Sequence, residues 1–287
     1  MILKMRNEEK TFIGISPIYH TMIFEMKKQK KKLYFFTFIA ILIAVLTSYI
    51  LQLFPDFLLS ATQAEFFSAG LNFISFITLF AACLFFSGII CSEFNKRTGF
   101  IVFPKINKYK LIIGKYLGNL ILVVFIVAVF YLVLGLFGFL YYGGPINIRI
   151  FYSFGFAVLY VVALSSFVTL FSSFMKNVNI TIIITLVILL MGFNIADQII
   201  NLIFADAFEP LYSLAYLGNL ITSVLLNPFP DPRYASFLPP GMSSGMMGGF
   251  SFSTWVTPSI FMGTTLLLVY IVGCFLLAAI LFKRRQL

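Results

Sequence analysis

Six stretches of the chain are continuously apolar and long enough for a helix to cross a bilayer. A hydrocarbon core about 30 Å thick requires roughly 20 apolar residues in a helix. The stretches are residues 33–54, 71–91, 116–140, 151–174, 178–195 and 259–282. Because they are continuous rather than alternating, they indicate helices and not spanning strands. The pattern predicts an all-α integral membrane protein with six transmembrane helices.

A shorter apolar stretch, residues 211–226, lies between Pro210 and Pro228 and is not counted as a span. Counting it would place the basic residues 283–285 outside, against the positive-inside rule. We expect it either to re-enter the membrane or to lie outside, and both placements stay open. The chain is then one transmembrane domain, 1–287, with a leader (1–32), spans one to five (33–195), an outer segment (196–258) and span six with a basic C-terminus (259–287).

The number and distribution of the charged residues are typical of a membrane protein with a basic inner surface. The chain is 61% hydrophobic and only 10% charged, whereas soluble domains carry about 25% charged residues. With the N-terminus inside, nearly all Lys and Arg fall in inner segments, and only Arg149 and Arg233 fall outside. Since cytoplasmic loops are rich in Lys and Arg, both termini are predicted to be cytoplasmic. The net charge of +10 does not indicate nucleic acid, because no soluble basic face is predicted.

The leader contains the signal for a short helix before span one. Ser16 and Pro17 suit the N-cap and the first helical position. Apolar residues then recur at helical spacing, namely Ile15, Ile18, Tyr19, Met22, Ile23 and Met26. We expect an amphipathic helix on the inner membrane surface, with the basic residues 27–32 among anionic head groups. The alternative is a partly ordered basic tail that only fixes topology.

The six apolar stretches contain no Asp, Glu, Lys, Arg or His well inside them. Ion-coupled pumps usually need such a residue within the membrane, so we expect the energy for any transport to come from elsewhere. A phosphate-binding loop is not expected either, because Tyr116 follows Gly114-Lys115 where Ser or Thr is required. We expect no catalytic residue, no metal ligand and no cofactor in this chain, which is not an enzyme.

The loop between the second and third stretches mixes basic residues with an apolar cluster, a composition that indicates a partner site or a membrane-surface helix. An acidic residue follows span two, and a Thr-Gly pair, a proline and a Gly-Lys pair come after it. In this order, and in its six-span layout, nearly the whole chain resembles the type-2 ABC exporter permeases. Residues 172–176 resemble the short inner turn of that family. The resemblance implies an ATPase-coupling loop with Glu93, Arg97, Thr98, Gly99, Pro104, Lys108 and Lys115.

The resemblance also implies a function and partners. It implies a permease that exports a lipophilic or amphipathic substrate by alternating access, with ATP and Mg²⁺ bound by a separate ABC ATP-binding subunit. It implies a second permease copy in a dimer, either the same chain or a related one, in the plasma membrane of a prokaryote. Pathway candidates along spans two and five are Asn72, Phe76, Phe80 and Asn194. An ATP-independent channel or facilitator and a non-transporting scaffold subunit are the alternatives.

Overall fold

The computed structural model describes residues 17–53, 62–95, 108–204, 208–231, 233–237 and 252–284. Within them, six helices are long and apolar enough to cross a membrane, so the prediction of a multi-pass helical membrane protein is confirmed. Spans one to six are Lys30–Ile50, Gln63–Phe94, Tyr109–Tyr142, Arg149–Phe174, Val178–Asn201 and Ile260–Arg284. Residues 211–226 are not among them and contain two short helices, Leu214–Gly218 and Leu220–Ser223.

Four spans are single helices, whereas spans two and five are interrupted. The single helices are Lys30–Leu53, Lys108–Tyr142, Arg149–Phe174 and Ile260–Arg284. Span two consists of Gln63–Leu71, Ile74–Phe86 and Cys91–Asn95. Span five consists of Val178–Val187, a π-helical turn at Ile188–Gly192, and Phe193–Phe204. The interruptions therefore fall in the two spans for which a transport pathway is predicted.

Local capping explains where several of these helices begin. At the start of Gln63–Leu71, the hydroxyl of Thr62 accepts from the N–H of Glu65, whose carboxylate accepts from the N–H of Thr62. Asn177 caps the first helix of span five in the same sense, through its side-chain oxygen and the N–H of Asn179. Such caps satisfy N–H groups that have no partner within the helix.

The spans alternate in direction, which gives the bundle two distinct ends. A helix at residues 17–28, the leader helix, marks what we call the leader end. There Lys32, at the start of span one, donates from Nζ to the carbonyl oxygen of Leu84 in span two at 3.2 Å. At the opposite, far end, Arg149 at the start of span four donates from Nη2 to Oδ1 of Asn227 at 3.0 Å.

Span two lies at the centre of the bundle and spans one, five and six lie at its edge. In span two, 67% of the most apolar segment is buried, compared with 28%, 17% and 22% in the other three. The edge spans expose many large apolar side chains, too many to face water. These side chains are therefore available to lipid or to another chain. Most of the largest buried side chains belong to span two or to the neighbouring spans three and four and include Phe67, Phe85, Phe86, Phe130 and Leu164.

Several spans extend beyond the predicted stretches, and the extensions include charged residues. Span two continues through Glu93, span three begins before Lys115, and span five continues through Asp197. The predicted stretches themselves contain no such residue, whereas the longer helices of the structure include these three toward their ends. The hydropathy of a stretch falls with every charged side chain, whether or not that side chain has a partner in the folded protein. The backbone hydrogen bonds of the helix nevertheless continue through such a residue. The expectation that the energy for transport comes from elsewhere stays a prediction.

A short β-ribbon was not predicted. Strand Tyr234–Phe237 pairs antiparallel with strand Phe252–Trp255, with Tyr234 opposite Trp255. Each strand has only four residues, too short for an alternating pattern to stand out from a segment that is apolar throughout. The fold is thus helical apart from this ribbon.

Candidate functional site

Span two is interrupted at residues 87–90, just before the segment predicted to couple to a partner. The Oγ of Ser172, near the end of span four, accepts hydrogen bonds from the N–H groups of Ile90 and Cys91, both at 3.1 Å. The same hydroxyl donates to the carbonyl oxygen of Ser87 at 2.7 Å. A serine hydroxyl has one donor and two acceptor positions. Ser172 uses all of them on this turn, so span four holds the turn through one side chain.

A buried ion pair connects the same region to span three. The ammonium group of Lys115 contacts the carboxylate of Glu93 and lies 3.4 Å from the carbonyl oxygen of Ile89. Lys115 is 5% exposed and Glu93 is 9% exposed, so both charges are withdrawn from solvent. From span five, the hydroxyl of Thr181 lies 3.8 Å from Sγ of Cys91. We call the turn at 87–90 with Glu93, Lys115 and Ser172 the junction.

The structure brings together two of the residues predicted for coupling, Glu93 and Lys115, from two different spans. Lys108 is the first residue of the helix Lys108–Tyr142. Four other predicted residues, Arg97, Thr98, Gly99 and Pro104, lie outside the described residues. The coupling role of all of them stays a prediction. Sequence analysis placed Ser172 in a short inner turn and did not connect it with span two, because nothing local to Ser172 indicates a contact so distant along the chain.

The leader helix packs directly on the start of span three at two glycines. A Cβ atom added at Gly114 would lie 2.8 Å from the carbonyl oxygen of Ile18. One added at Gly118 would lie 2.9 Å from the carbonyl oxygen of Met22. Both distances are shorter than van der Waals contact, so the two backbones approach this closely only because neither position has a side chain. Small residues four positions apart are typical of close helix packing in membranes.

The buried face of the leader helix is partly polar. Thr21 is 9% exposed and Glu25 is 3% exposed, whereas Tyr19 and Phe24 are 54% and 65% exposed. The carboxylate of Glu25 is partnered within the helix, since Lys28 donates to it at 3.0 Å. The leader contains a helix whose exposed aromatic side chains are available to lipid, while its amphipathic character stays a prediction. Its position on the membrane surface stays a prediction.

Replacing Ser172 with alanine is expected to destabilise the chain, because two buried N–H groups lose their shared acceptor. Each unsatisfied buried polar group costs about 1–3 kcal/mol. We expect a lower midpoint of unfolding in SDS, followed by circular dichroism of the purified chain. The matched control is Thr169→Val, because the hydroxyl of Thr169 donates within its own helix to the carbonyl oxygen of Ser165. If Ser172→Ala were no less stable than that control, Ser172 would not hold the turn.

A polar cavity of about 380 Å³ lies toward the far end, between spans two and five and the segment with the two short helices. Small-molecule sites have volumes of roughly 300–1,000 Å³, so the cavity is large enough for one. Aromatic and aliphatic side chains line it together with many amide and hydroxyl groups. Its polar lining residues include Asn72, Ser75, Asn194, Asp197, Gln198, Asn201, Tyr216 and Asn219.

Three of the four pathway candidates line this one cavity. They are Asn72 and Phe76 from span two and Asn194 from span five. The fourth, Phe80, is 37% exposed and is not among the residues that line the cavity. Transport along this route stays a prediction. The cavity nevertheless lies where spans two and five meet, which is the pair of spans that the prediction named.

The wall contributed by span five follows its π-helical turn, Ile188–Gly192. Such turns are frequent at functional sites, because they leave the helical ladder irregular. Beyond the turn, the side-chain amide of Asn194 donates to the carbonyl oxygen of Leu190 at 2.5 Å. Asn194, Asp197 and Asn201 are three and four positions apart and therefore share one helix face. Sequence analysis ended the span before Asp197 and missed this face, although its spacing is visible in the sequence.

The facing wall is held by an ion pair. The carboxylate of Glu209 accepts from Arg233 and from the hydroxyl of Tyr216, both at 2.9 Å. The guanidinium of Arg233 also lies over the ring of Trp255, 5.8 Å from its centroid. Burial, and then the Glu209 carboxylate, raise the pKa of the Tyr216 hydroxyl above its usual range. Tyr216 is therefore a neutral hydrogen-bond donor at physiological pH, and the charge of Arg233 is already balanced.

Comparison of the chain with protein-family models finds no match, and comparison with curated proteins finds no significant one. The function is therefore argued from two features of the molecule, the junction at the leader end and the polar cavity toward the far end.

Proposed function

We propose that this chain is the membrane-spanning permease subunit of an ATP-driven exporter of the type-2 ABC class. Separate ATP-binding subunits supply the energy, and the substrate is lipophilic or amphipathic. The permease works as a dimer, with a second copy of the chain or with a related chain. Both termini are cytoplasmic, and the membrane is the plasma membrane of a prokaryote.

The observation that carries this proposal is the junction. The segment with the predicted coupling residues begins where span two ends, and that end is attached to two other spans, while Thr181 of span five also lies near it. Lys115 attaches it to span three and Ser172 attaches it to span four. A loop that only set topology would need no such attachments. A loop that receives force from a partner would need them, because displacement of one span end must reach the others.

Spans two and five provide a route from the junction to the cavity. The helix Ile74–Phe86 carries Phe76 in the cavity wall and ends at the junction, about 15 Å further along the helix axis. Span five contacts the junction through Thr181 and lines the cavity with Asn194. In the proposed mechanism, ATP-driven closure of the partner subunits moves the junction, and spans two and five change the access to the cavity.

The proposal is tested first by identifying what binds the chain. The tagged chain is extracted from native membranes in mild detergent, and proteins that co-purify near one-to-one are identified by mass spectrometry. We expect a stoichiometric ABC ATP-binding subunit. A folded chain that repeatedly purifies without one would contradict the proposal and favour the channel or the scaffold.

Variants in the predicted coupling loop then separate the three functions. We expect Thr98→Ala with Pro104→Ala to abolish ATP-coupled transport in proteoliposomes while membrane insertion stays normal. A channel or facilitator would keep its transport activity in this variant. A scaffold would bind the ATPase without substrate-stimulated ATP hydrolysis in either form. The control is Thr264→Ala, which removes an exposed hydroxyl in span six that donates only within its own helix.

A further inference from the structure

The polar cavity contains several side-chain oxygens that can accept hydrogen bonds. The amide N–H₂ group of Asn194 donates to the carbonyl oxygen of Leu190, and that of Asn219 donates to the carbonyl oxygen of Val256 at 2.8 Å. Each amide therefore keeps its oxygen as a free acceptor. Oδ1 of Asn201 is buried and has no hydrogen-bond partner among the described residues. These oxygens can accept hydrogen bonds from a ligand that donates them.

The charge of the cavity wall is negative. Asp197 is its carboxylate residue, and no Lys, Arg or His occurs among the described residues that line it. Asp197 takes part in none of the ion pairs that the described residues form, and its Oδ1 is buried without a hydrogen-bond partner. Burial, followed by a hydrogen bond to Asp197 and then by the charge of that carboxylate, raises the pKa of the Tyr212 hydroxyl. An ionisable side chain within a membrane span is expensive and is usually kept for function.

The remaining walls are apolar and aromatic. Phe76, Leu79 and Leu189 line the cavity together with Tyr160 and Trp255. Aromatic faces attract cations through their quadrupole, and aliphatic side chains accept a hydrocarbon chain. The same cavity therefore combines hydrogen-bond acceptors, an unbalanced carboxylate and an apolar wall.

We propose that the polar cavity binds an amphipathic primary ammonium ion. The ammonium group donates hydrogen bonds to Asp197 and to the amide oxygens, and the hydrocarbon part lies against Phe76 and the two leucines. A primary ammonium has three donors and no acceptor, which complements an acceptor-rich wall. Binding is a property of this chain by itself, whereas the identity of this ligand as the exported substrate rests on the proposed function.

The chain contains a reporter for this cavity, because Trp255 lines it and is the only tryptophan in the sequence. The purified chain in non-ionic detergent is titrated with 8-bromooctylammonium, whose bromine quenches tryptophan fluorescence on close approach. The anion 8-bromooctanoate and the neutral 8-bromooctanol are matched probes that partition into the micelle without a positive charge. We expect saturable quenching by the cation and weak, linear quenching by the other two.

Asp197→Asn is expected to weaken binding of the cation about tenfold or more, because a charge-assisted hydrogen bond is lost. Asp231→Asn, which changes an exposed carboxylate, is the charge-matched control and should bind as the unaltered chain does. Gel filtration and quenching by the neutral probe show whether Asp197→Asn is folded. Equal quenching by all three probes, or unchanged affinity in folded Asp197→Asn, would overturn the proposal. No ATP-binding subunit takes part, so either outcome leaves the proposed export function to its own test.

Discussion

Replacing Lys115 with methionine is expected to destabilise the chain by about 3–5 kcal/mol, because a buried carboxylate would lose its positive partner. Methionine has a similar length and fills the space without the charge. The measurement is the free energy of unfolding in SDS, followed by circular dichroism. If the proposed function holds, ATP hydrolysis and transport also become uncoupled, because span three no longer follows the end of span two.

Two further variants separate the ion pair from a general effect of removing a lysine. Lys110→Met alters a half-buried lysine of the same helix that makes no ion pair among the described residues, and we expect a small change. Adding Glu93→Gln to Lys115→Met removes both charges and should restore part of the lost stability, since replacing a whole buried pair is often nearly neutral. A double variant as unstable as the sum of the single variants would contradict a direct interaction.

Alanine at both Gly114 and Gly118 is expected to release the leader helix from span three. Each new Cβ atom would lie under 3 Å from a backbone carbonyl oxygen, and backbone cannot move aside as a side chain can. Overpacking of this kind costs about 1–3 kcal/mol per site. The measurement is the rate of maleimide labelling of Thr21→Cys, a position that is 9% exposed when the leader helix is docked. We expect labelling to accelerate about tenfold or more.

The same helix provides the matched control. A Cβ atom at Gly135 would meet nothing within 4 Å, so Gly135→Ala should leave the labelling rate unchanged. The three native cysteines are buried and should contribute little background. Unchanged labelling in the double alanine variant would show that the leader helix does not depend on these glycines.

These two predictions concern one short segment of span three. Gly114 and Gly118 contact the leader helix, and Lys115 between them reaches the junction. The next residue, Tyr116, shares hydrogen bonds with the hydroxyls of Ser165 and Ser166 in span four, at 2.6 and 3.0 Å. One helical turn thus contacts the leader helix and spans two and four. Because these contacts share a turn, a shift of span three would alter them together.

The number and type of the spans could be predicted from sequence, because crossing a bilayer requires only length and apolarity. These are local properties that each stretch carries by itself. Residues 211–226 could be excluded as a span because counting them would place the basic residues 283–285 outside, and the structure divides them into two short helices. The span ends could not be predicted, because Lys115 and Asp197 count against a membrane helix unless their surroundings are known.

The features of the candidate sites also divide into those that the sequence indicated and those that depend on the tertiary structure. The sequence by itself determined six apolar helices, a leader helix and a region of interest after span two. It also indicated spans two and five for a transport pathway, and three of its four candidates line the cavity, whereas Asp197 was not among them. Only the tertiary structure decided that Lys115 meets Glu93 and that Ser172 holds the turn at 87–90. Both contacts join residues far apart along the chain, and hydropathy and spacing report only what lies within one helix.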